Sequence, residues 1–170
     1  HAGTNNDRLT AAKTGLDALG VFDNVDILDA RAGQPGASPT LAAFDGYEVV
    51  LTWSNPGFAD ATLIGNLLKQ YVDGGGGLVT AAHSHSAGAA LGGNIVADLP
   101  LGSGAANGAN GDLIVQVPGD VIFNGINITT FNTEQSFFTG SAALAPGATL
   151  LATMTAGSNV IARNADGDII

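Results

Sequence analysis

The sequence predicts an α/β protein, a three-layer sandwich built on a mostly parallel sheet with an antiparallel hairpin at its C-terminal end. Three observations carry this prediction. Helix and strand signals alternate along the first half of the chain, which implies crossover connections in a doubly wound sheet. Two strand segments, Val49–Trp53 and Leu78–Ala82, are apolar without alternation, as expected for parallel strands covered on both faces. The last two strand segments are separated by a short turn, which is typical of a hairpin.

The first half of the chain supplies the alternation. A helix is predicted over Asn6–Leu19, which Gly20 can end. Residues on one side of it recur at three- and four-residue spacing: Leu9, Ala12, Lys13, Leu16 and Leu19. Val25–Asp29 is predicted to form a short strand, and the Pro- and Gly-containing residues that follow it are predicted to form a loop. A helical turn over Thr40–Phe44 then leads to the strand at Val49.

A second helix is predicted from Asp60 to the glycines that begin at Gly74, and the strand Leu78–Ala82 follows it. Residues 84–111 are rich in Gly, Ala, Ser and Asn, and they are too long for an ordinary connection. We expect a surface excursion near a site or an interface. Its apolar anchors are Leu91, Ile95, Val96, Leu99 and Leu101.

Three further strand segments follow this excursion. They are Leu113–Val117, Ala148–Thr153 and Asn159–Arg163. The last two flank Ala156-Gly157-Ser158, so they are predicted to form the antiparallel hairpin.

The length of 170 residues suits a single domain, 1–170, with a sizeable core. A helix that begins at residue 6 is typical of the element after a first strand, and Gly167–Ile170 ends as another strand begins. We therefore expect a segment of a longer chain that lacks its first strand.

Composition excludes several classes of function. Fifteen Asp and Glu residues against five Lys and Arg give a net charge of −10, which disfavours nucleic acid and anionic lipid as partners. No apolar run is long enough to be inserted in a membrane. The absence of Cys excludes a disulfide framework, a thiolate metal site and a Cys nucleophile within these residues. No motif indicates a cofactor, so none is expected.

Two motifs carry a resemblance to a known family. Phe44–Leu51 and Tyr71–Val79 resemble the class I glutamine amidotransferase-like superfamily, in particular its secreted bacterial branch and the ThuA-like domains. Pro146–Leu151 and Asn159–Arg163 extend the resemblance over most of the chain. The resemblance implies a flavodoxin-like sheet and a secreted or cell-surface location.

The resemblance also implies a functional turn after the strand Leu78–Ala82, where amidotransferases carry their Cys nucleophile. Here the turn reads His83-Ser84-His85-Ser86, so a thiolate-based glutaminase is excluded. ThuA-like domains carry an acidic pair in a later segment, and Glu134 occupies one of those places. One hypothesis is therefore a hydrolase or sugar-processing enzyme that uses His83, Ser84, His85 and Glu134.

Metal binding is a second hypothesis for the function of the same turn. On an extended segment His83 and His85 would face the same way and could share a metal ion. A third ligand would come from Glu134, Asp29 or His1. A polar loop that hydrogen-bonds its own turn is the favoured interpretation.

The sequence Asn164–Asp168 offers another possible metal site. Its oxygen ligands on alternate residues, Asp166 and Asp168 among them, resemble a calcium loop. An Asp-Gly turn accounts for the same residues and is favoured.

Trp53, Ser54 and Asn55 follow a parallel strand at its carboxyl end, where ligands of open α/β sheets bind. Trp53 could stack on a sugar ring, and His83 and His85 would line the same crevice. A glycan-binding module is therefore a further hypothesis, although a core Trp is the favoured interpretation of this residue.

The lost nucleophile, the low charge and the incomplete chain ends favour a non-catalytic structural or binding module of an extracellular or surface bacterial protein. An unpaired sheet edge is a template for a strand from another chain. We therefore expect self-association, which forms a filament if the contact does not close, or binding to another extracellular protein. Polysaccharide is the alternative partner.

Overall fold

The structure is a computed structural model, and it describes residues 5–54, 57–86, 88–102, 111–134, 143–155 and 157–170. These residues form a mixed α/β arrangement with two sheets. One sheet is parallel and pairs β1 (Val49–Thr52) with β2 (Gly77–Thr80), and the other is antiparallel, in the order β3 (Leu113–Val115), β4 (Thr149–Met154), β5 (Asn159–Arg163). The α-helices are α1 (Asn5–Ala18), α2 (Ala61–Asp73) and α3 (Ile128–Glu134).

Helix α2 confirms the prediction from apolar spacing. Asp60 caps it, because its carboxylate accepts from the Leu63 N–H at 2.8 Å. The helix ends at Asp73, ahead of a run of glycines. Its buried face carries Ile64, Leu67, Leu68, Tyr71 and Val72.

The main core lies between α2 and one face of the parallel sheet. Leu78 and Ile169 are fully buried there, and Val50 packs against the same cluster. Two 3₁₀ helices, Leu41–Phe44 and Asn94–Ala97, complete this layer, and the first confirms the predicted helical turn.

Four of the five predicted apolar anchors of the segment 84–111 contribute to the core. Leu91, Ile95, Leu99 and Leu101 are buried, whereas Val96 is exposed. The segment 103–110 lies outside the described residues. Small residues permit close packing here, since Gly92 lies against Gly65 of α2.

Strand β2 is paired on both sides. Its parallel partner on one side is β1, with Val50 opposite Leu78, and on the other side Leu78 forms a parallel bridge with Ile169. The Ile170 N–H donates to the Leu78 carbonyl at 2.9 Å and the Thr80 N–H donates to the Ile170 backbone oxygen at 2.7 Å. Residues 169–170 thus act as a short third parallel strand, as their sequence predicts.

The predicted strand Val25–Asp29 is wrong: the structure describes these residues and they are irregular. Ile27 and Leu28 are 42% and 41% exposed. A strand is stable only when a neighbour pairs its backbone, and no described residue does so here.

The C-terminal hairpin is confirmed, because β4 and β5 pair antiparallel with Thr149 opposite Arg163. It belongs to a separate sheet with β3 rather than to the parallel sheet. Residues 164–168 then turn the chain back, so that Ile169 reaches β2.

The second face of the parallel sheet is open in the described residues. Val49 and Leu51, on the side of β1 opposite Val50, are 43% and 42% exposed. Helix α1 confirms its predicted span to within one residue, but its leucines are half-buried or exposed. The architecture is therefore mixed α/β, and the third layer stays an expectation.

Two glycines in helices provide a matched test of the core. Gly15 in α1 has open space where a Cβ would lie, whereas a Cβ on Gly65 in α2 would lie 1.8 Å from the Gly92 carbonyl oxygen. Gly15→Ala should raise the free energy of unfolding by up to about 1 kcal/mol through helix propensity. Gly65→Ala should lower it by about 1–3 kcal/mol through overpacking. Urea denaturation followed by circular dichroism measures both, and equal effects would contradict this packing.

Candidate functional site

The carboxyl ends of β1 and β2 lie together, as the parallel arrangement predicts. The Ala81 N–H donates to the Thr52 carbonyl at 2.8 Å. The Ser54 hydroxyl lies 3.1 Å from the His83 carbonyl oxygen and also contacts that of Ala89. Ser54 and His83 therefore lie together at the carboxyl ends of the parallel strands.

The turn after β2 is a 3₁₀ helix over Ala82–His85, not an extended segment. The Ser84 N–H donates to the Ala81 carbonyl at 2.8 Å, and the Ser86 N–H to that of His83 at 3.1 Å. With three residues per turn, positions two apart do not share a side. The expectation that His83 and His85 face the same way is therefore wrong.

His85 is buried, and both of its ring nitrogens are engaged. Nδ1 lies 3.1 Å from the Leu101 carbonyl oxygen, and Nε2 lies 2.9 Å from the Thr80 hydroxyl. A carbonyl oxygen only accepts, so Nδ1 carries the proton in the neutral ring. Nε2 then accepts from the Thr80 hydroxyl, which shares its one hydrogen with the Ile170 backbone oxygen at 3.1 Å. The imidazole links the end of β2 to residue 101.

Burial lowers the pKa of His85, and the hydrogen bond to the Leu101 carbonyl opposes part of that effect. The imidazole is therefore neutral at physiological pH. A neutral ring with both nitrogens bonded to the protein is a structural group in this arrangement. It does not present a lone pair to a metal ion or to a substrate.

Ser84 and Ser54 are buried, and their hydroxyls contact backbone carbonyls. Ser84 is fully buried, with its hydroxyl 3.4 Å from the Thr52 carbonyl oxygen. A serine nucleophile needs an exposed hydroxyl with a base within hydrogen-bond reach. The observed contacts instead satisfy polar groups inside the protein.

The other proposed catalytic and metal-binding residues lie apart from this turn or outside the described part. Glu134 is the last residue of α3, and its side chain is outside the described residues, as is all of His1. Helix α3 lies against the antiparallel sheet, where the Asn132 amide oxygen accepts from the Leu113 N–H at 2.8 Å.

Asp29 forms an ion pair with Arg31, and the hydrogen bond from this guanidinium lowers the pKa of the carboxyl. Within the described ranges, no three His, Asp or Glu side chains gather as a metal site requires.

Asn164 holds together the turn whose sequence resembles a calcium loop. Its buried amide oxygen lies within hydrogen-bond distance of the N–H groups of Gly167, Asp168 and Ile169. Its amide nitrogen donates to the Asp168 carboxylate at 2.7 Å, while Asp166 is exposed. The oxygen that a cation would need is therefore engaged with the backbone.

Trp53 is half-buried at the end of β1, directly before Ser54. Asn55, the third residue of the proposed glycan-binding set, lies outside the described residues. Trp53 is thus next to the residue whose hydroxyl contacts the turn after β2.

The sequence predicts an unpaired sheet edge, and the structure assigns it to the outer edge of β1. The backbone carbonyl of Glu48 accepts from the Gly77 N–H, and that of Thr52 accepts from the Ala81 N–H. Successive residues of a parallel strand direct their backbone groups to opposite edges, so those of Val49 and Leu51 point away from β2. No described residue pairs with them. The apolar run Val49–Trp53 identified the strand but not which of its edges is open.

Comparison of the chain with protein-family models, with curated proteins and with solved structures gives no match. None of the helices in the described ranges has the length and apolar content needed to cross a bilayer.

The buried imidazole predicts a specific dependence of stability on pH. Because the pKa of His85 is lowered in the folded state, the unfolded chain takes up its proton first as the pH falls below about 6.5. The free energy of unfolding should be constant above that pH and should decrease towards the folded pKa, by at most about 1.4 kcal/mol per pH unit. Urea denaturation between pH 8 and pH 5 measures this slope.

His85→Gln, which keeps a donor and an acceptor, should remove this contribution to the slope. The matched variant His83→Gln, at a half-buried imidazole, should retain it. A wild-type slope of zero in this range, or equal slopes in the two variants, would contradict the assignment of a buried neutral imidazole.

Proposed function

We propose that this chain is a non-catalytic structural or binding module of an extracellular or cell-surface protein, and that it works by strand pairing at the outer edge of β1. Further copies of the same chain are its first partners. The observation that carries the proposal is the unpaired backbone of Val49 and Leu51 beside their exposed side chains. An edge strand of this kind is a template for another strand.

The side chains at the strand ends support a non-catalytic role. Ser54, Ser84 and His85 are buried, and their polar atoms contact backbone groups or the Thr80 hydroxyl. They fasten the turn after β2 to neighbouring segments, and this role accounts for their polarity without a substrate.

The geometry of the contact decides the form of the assembly. Pairing of β1 with β1 of a second copy closes a dimer, because the same surface is used twice. Pairing of β1 with a different edge, such as the outer edge of β5, leaves both ends open and forms a filament. Each copy carries a net charge of −10, so salt should strengthen either contact by screening the repulsion.

We further propose that the domain is a flavodoxin-like, three-layer sandwich of the amidotransferase-like kind. Its support is the parallel set of β1, β2 and residues 169–170, the crossover helix α2, and the polar turn Ala82–His85 at the carboxyl end of β2. The chain has no Cys at that turn to act as a nucleophile.

Leu51→Asp tests the proposed self-association. A charge on the exposed face of the edge strand should abolish assembly while leaving the fold intact, because Leu51 is not part of the core. Sedimentation velocity over rising protein concentration, at low and high salt, should show association of the wild type that salt strengthens.

Val121→Asp is the matched control, since Val121 is 79% exposed and lies outside the strands. It should assemble as the wild type does. A wild type that stays monomeric at high concentration and high salt, or a Leu51→Asp variant that assembles normally, would refute the proposal.

A further inference from the structure

The loop before α3 exposes an asparagine that is followed by a glycine. Asn124 and Gly125 are both exposed, and they line an open depression of about 430 Å³ in the loop 118–125. On either side of them, the half-buried side chains of Phe123 and Ile128 pack against the core of the antiparallel sheet. Solvent therefore reaches a short turn that is anchored at both ends.

The turn has the geometry of a type II β-turn. The Ile126 N–H donates to the Phe123 carbonyl at 3.1 Å. Asn124 has a φ of −66° and a ψ of 122°, and Gly125 has a φ of +77°. A positive φ at the third residue is what this turn requires, and glycine adopts it without strain.

Two groups that can react with each other are adjacent in this turn. The turn hydrogen bond joins the first and fourth residues, and no described residue accepts from the N–H of the third, Gly125. The side-chain amide of Asn124 likewise has no hydrogen-bond partner in the described part of the chain. Gly125 also has no β-carbon that would shield its nitrogen from the amide carbon of Asn124.

Other asparagines of the described chain are held more firmly. Asn127 is exposed in the same loop, but its amide oxygen accepts from the Thr129 and Thr130 N–H groups at 3.1 and 3.2 Å, and the branched residue Ile128 follows it. Asn164 is buried, and its amide oxygen contacts three backbone N–H groups. Asn124 thus combines exposure, an unbound amide and a following glycine.

We propose that Asn124 is a site of spontaneous deamidation through a cyclic imide formed with Gly125. The Gly125 nitrogen forms a bond to Cγ of Asn124, the Cγ–Nδ2 bond breaks, and ammonia leaves with the proton that the Gly125 nitrogen gives up. Water then opens the imide. Cleavage of the new Cγ–N bond leaves aspartate at position 124, whereas cleavage at the main-chain carbonyl leaves isoaspartate, in which the main chain runs through Cγ.

Rotation about one bond brings the reacting atoms together. At the observed ψ of 122°, the Gly125 nitrogen is turned away from the side chain of Asn124. The peptide unit therefore rotates before the attack, and the hydrogen bond between Ile126 and Phe123 opposes that rotation. One exposed hydrogen bond of this kind slows the reaction at most about tenfold relative to the unfolded chain.

The products change the turn in two ways. Both place a carboxylate where the neutral amide was, so each conversion adds one negative charge to the net charge of −10. Isoaspartate also lengthens the main chain by one atom between Phe123 and Ile128. The change lies in the loop before α3 and not in β1, so its test is independent of the strand pairing proposed above.

Peptide mapping by mass spectrometry tests the proposal. The folded chain is kept at pH 8 in water enriched in heavy oxygen and is then digested in ordinary water. We expect aspartate and isoaspartate at position 124, each with one heavy oxygen atom, while Asn127 and Asn164 keep their amides. The same incubation in urea should accelerate the conversion at position 124 by no more than about tenfold.

Two variants are the matched controls. Asn124→Gln should keep its amide, because the longer side chain would have to close a larger, less favourable ring. Gly125→Asn should keep the turn, since Asn tolerates a positive φ and no atom lies within 4 Å of the added Cβ. That carbon crowds the attacking nitrogen, so conversion at position 124 should be several-fold slower than in the wild type.

An amide at position 124 that reacts in urea but stays intact in the folded chain would overturn the inference. Equal conversion at Asn127, products without heavy oxygen, or a Gly125→Asn variant that reacts as fast as the wild type would do the same.

Discussion

A parallel strand in the interior of a sheet has backbone partners on both edges and apolar cover on both faces. In the described parallel pair, only β2 has partners on both edges. The position of β2 determines most of what surrounds it. Residues 169–170 pair with one side, β1 with the other, and α2 covers the face that carries Leu78. Strand β1 meets the requirement on one edge only, so its other edge is the unsatisfied part of the sheet.

The polar residues beyond β2 form a satisfied network inside the protein. Ser84 contacts the carbonyl of residue 52, Ser54 those of residues 83 and 89, and His85 links Thr80 to residue 101. Unpaired polar groups at such depth would cost about 1–3 kcal/mol each, so these contacts hold the turn in one conformation. The carboxyl end of β2, where open α/β sheets bind ligands, carries groups that stabilise the turn.

Short backbone connections join the regions around the two sheets. Asn164 holds the turn after β5 so that Ile169 reaches β2, and Leu101 forms an antiparallel bridge with Leu144. The C-terminal hairpin is thereby tied to the parallel sheet at more than one place. Ile169, which follows the hairpin and its turn, is fully buried in the core.

Local patterns in the sequence were sufficient for elements whose apolar spacing is determined by their own residues. Helix α2, the strands β1 and β2 and the hairpin of β4 and β5 agree with prediction, because period and turn residues are local properties. The meeting of Ser54 and His83 followed from the rule that parallel strand ends converge.

Tertiary structure alone decided the rest. Val25–Asp29 has the composition of a strand, but no strand among the described residues pairs with it, and pairing depends on residues distant in the chain. Residues 91–101 lie in a segment rich in Gly and Ala, and the space beside Gly65 lets the predicted apolar anchors Leu91 and Ile95 enter the core. Whether His85 is a ligand or a structural group depends on the Leu101 carbonyl and the Thr80 hydroxyl. Those contacts form only when the chain folds, so no local pattern could predict them.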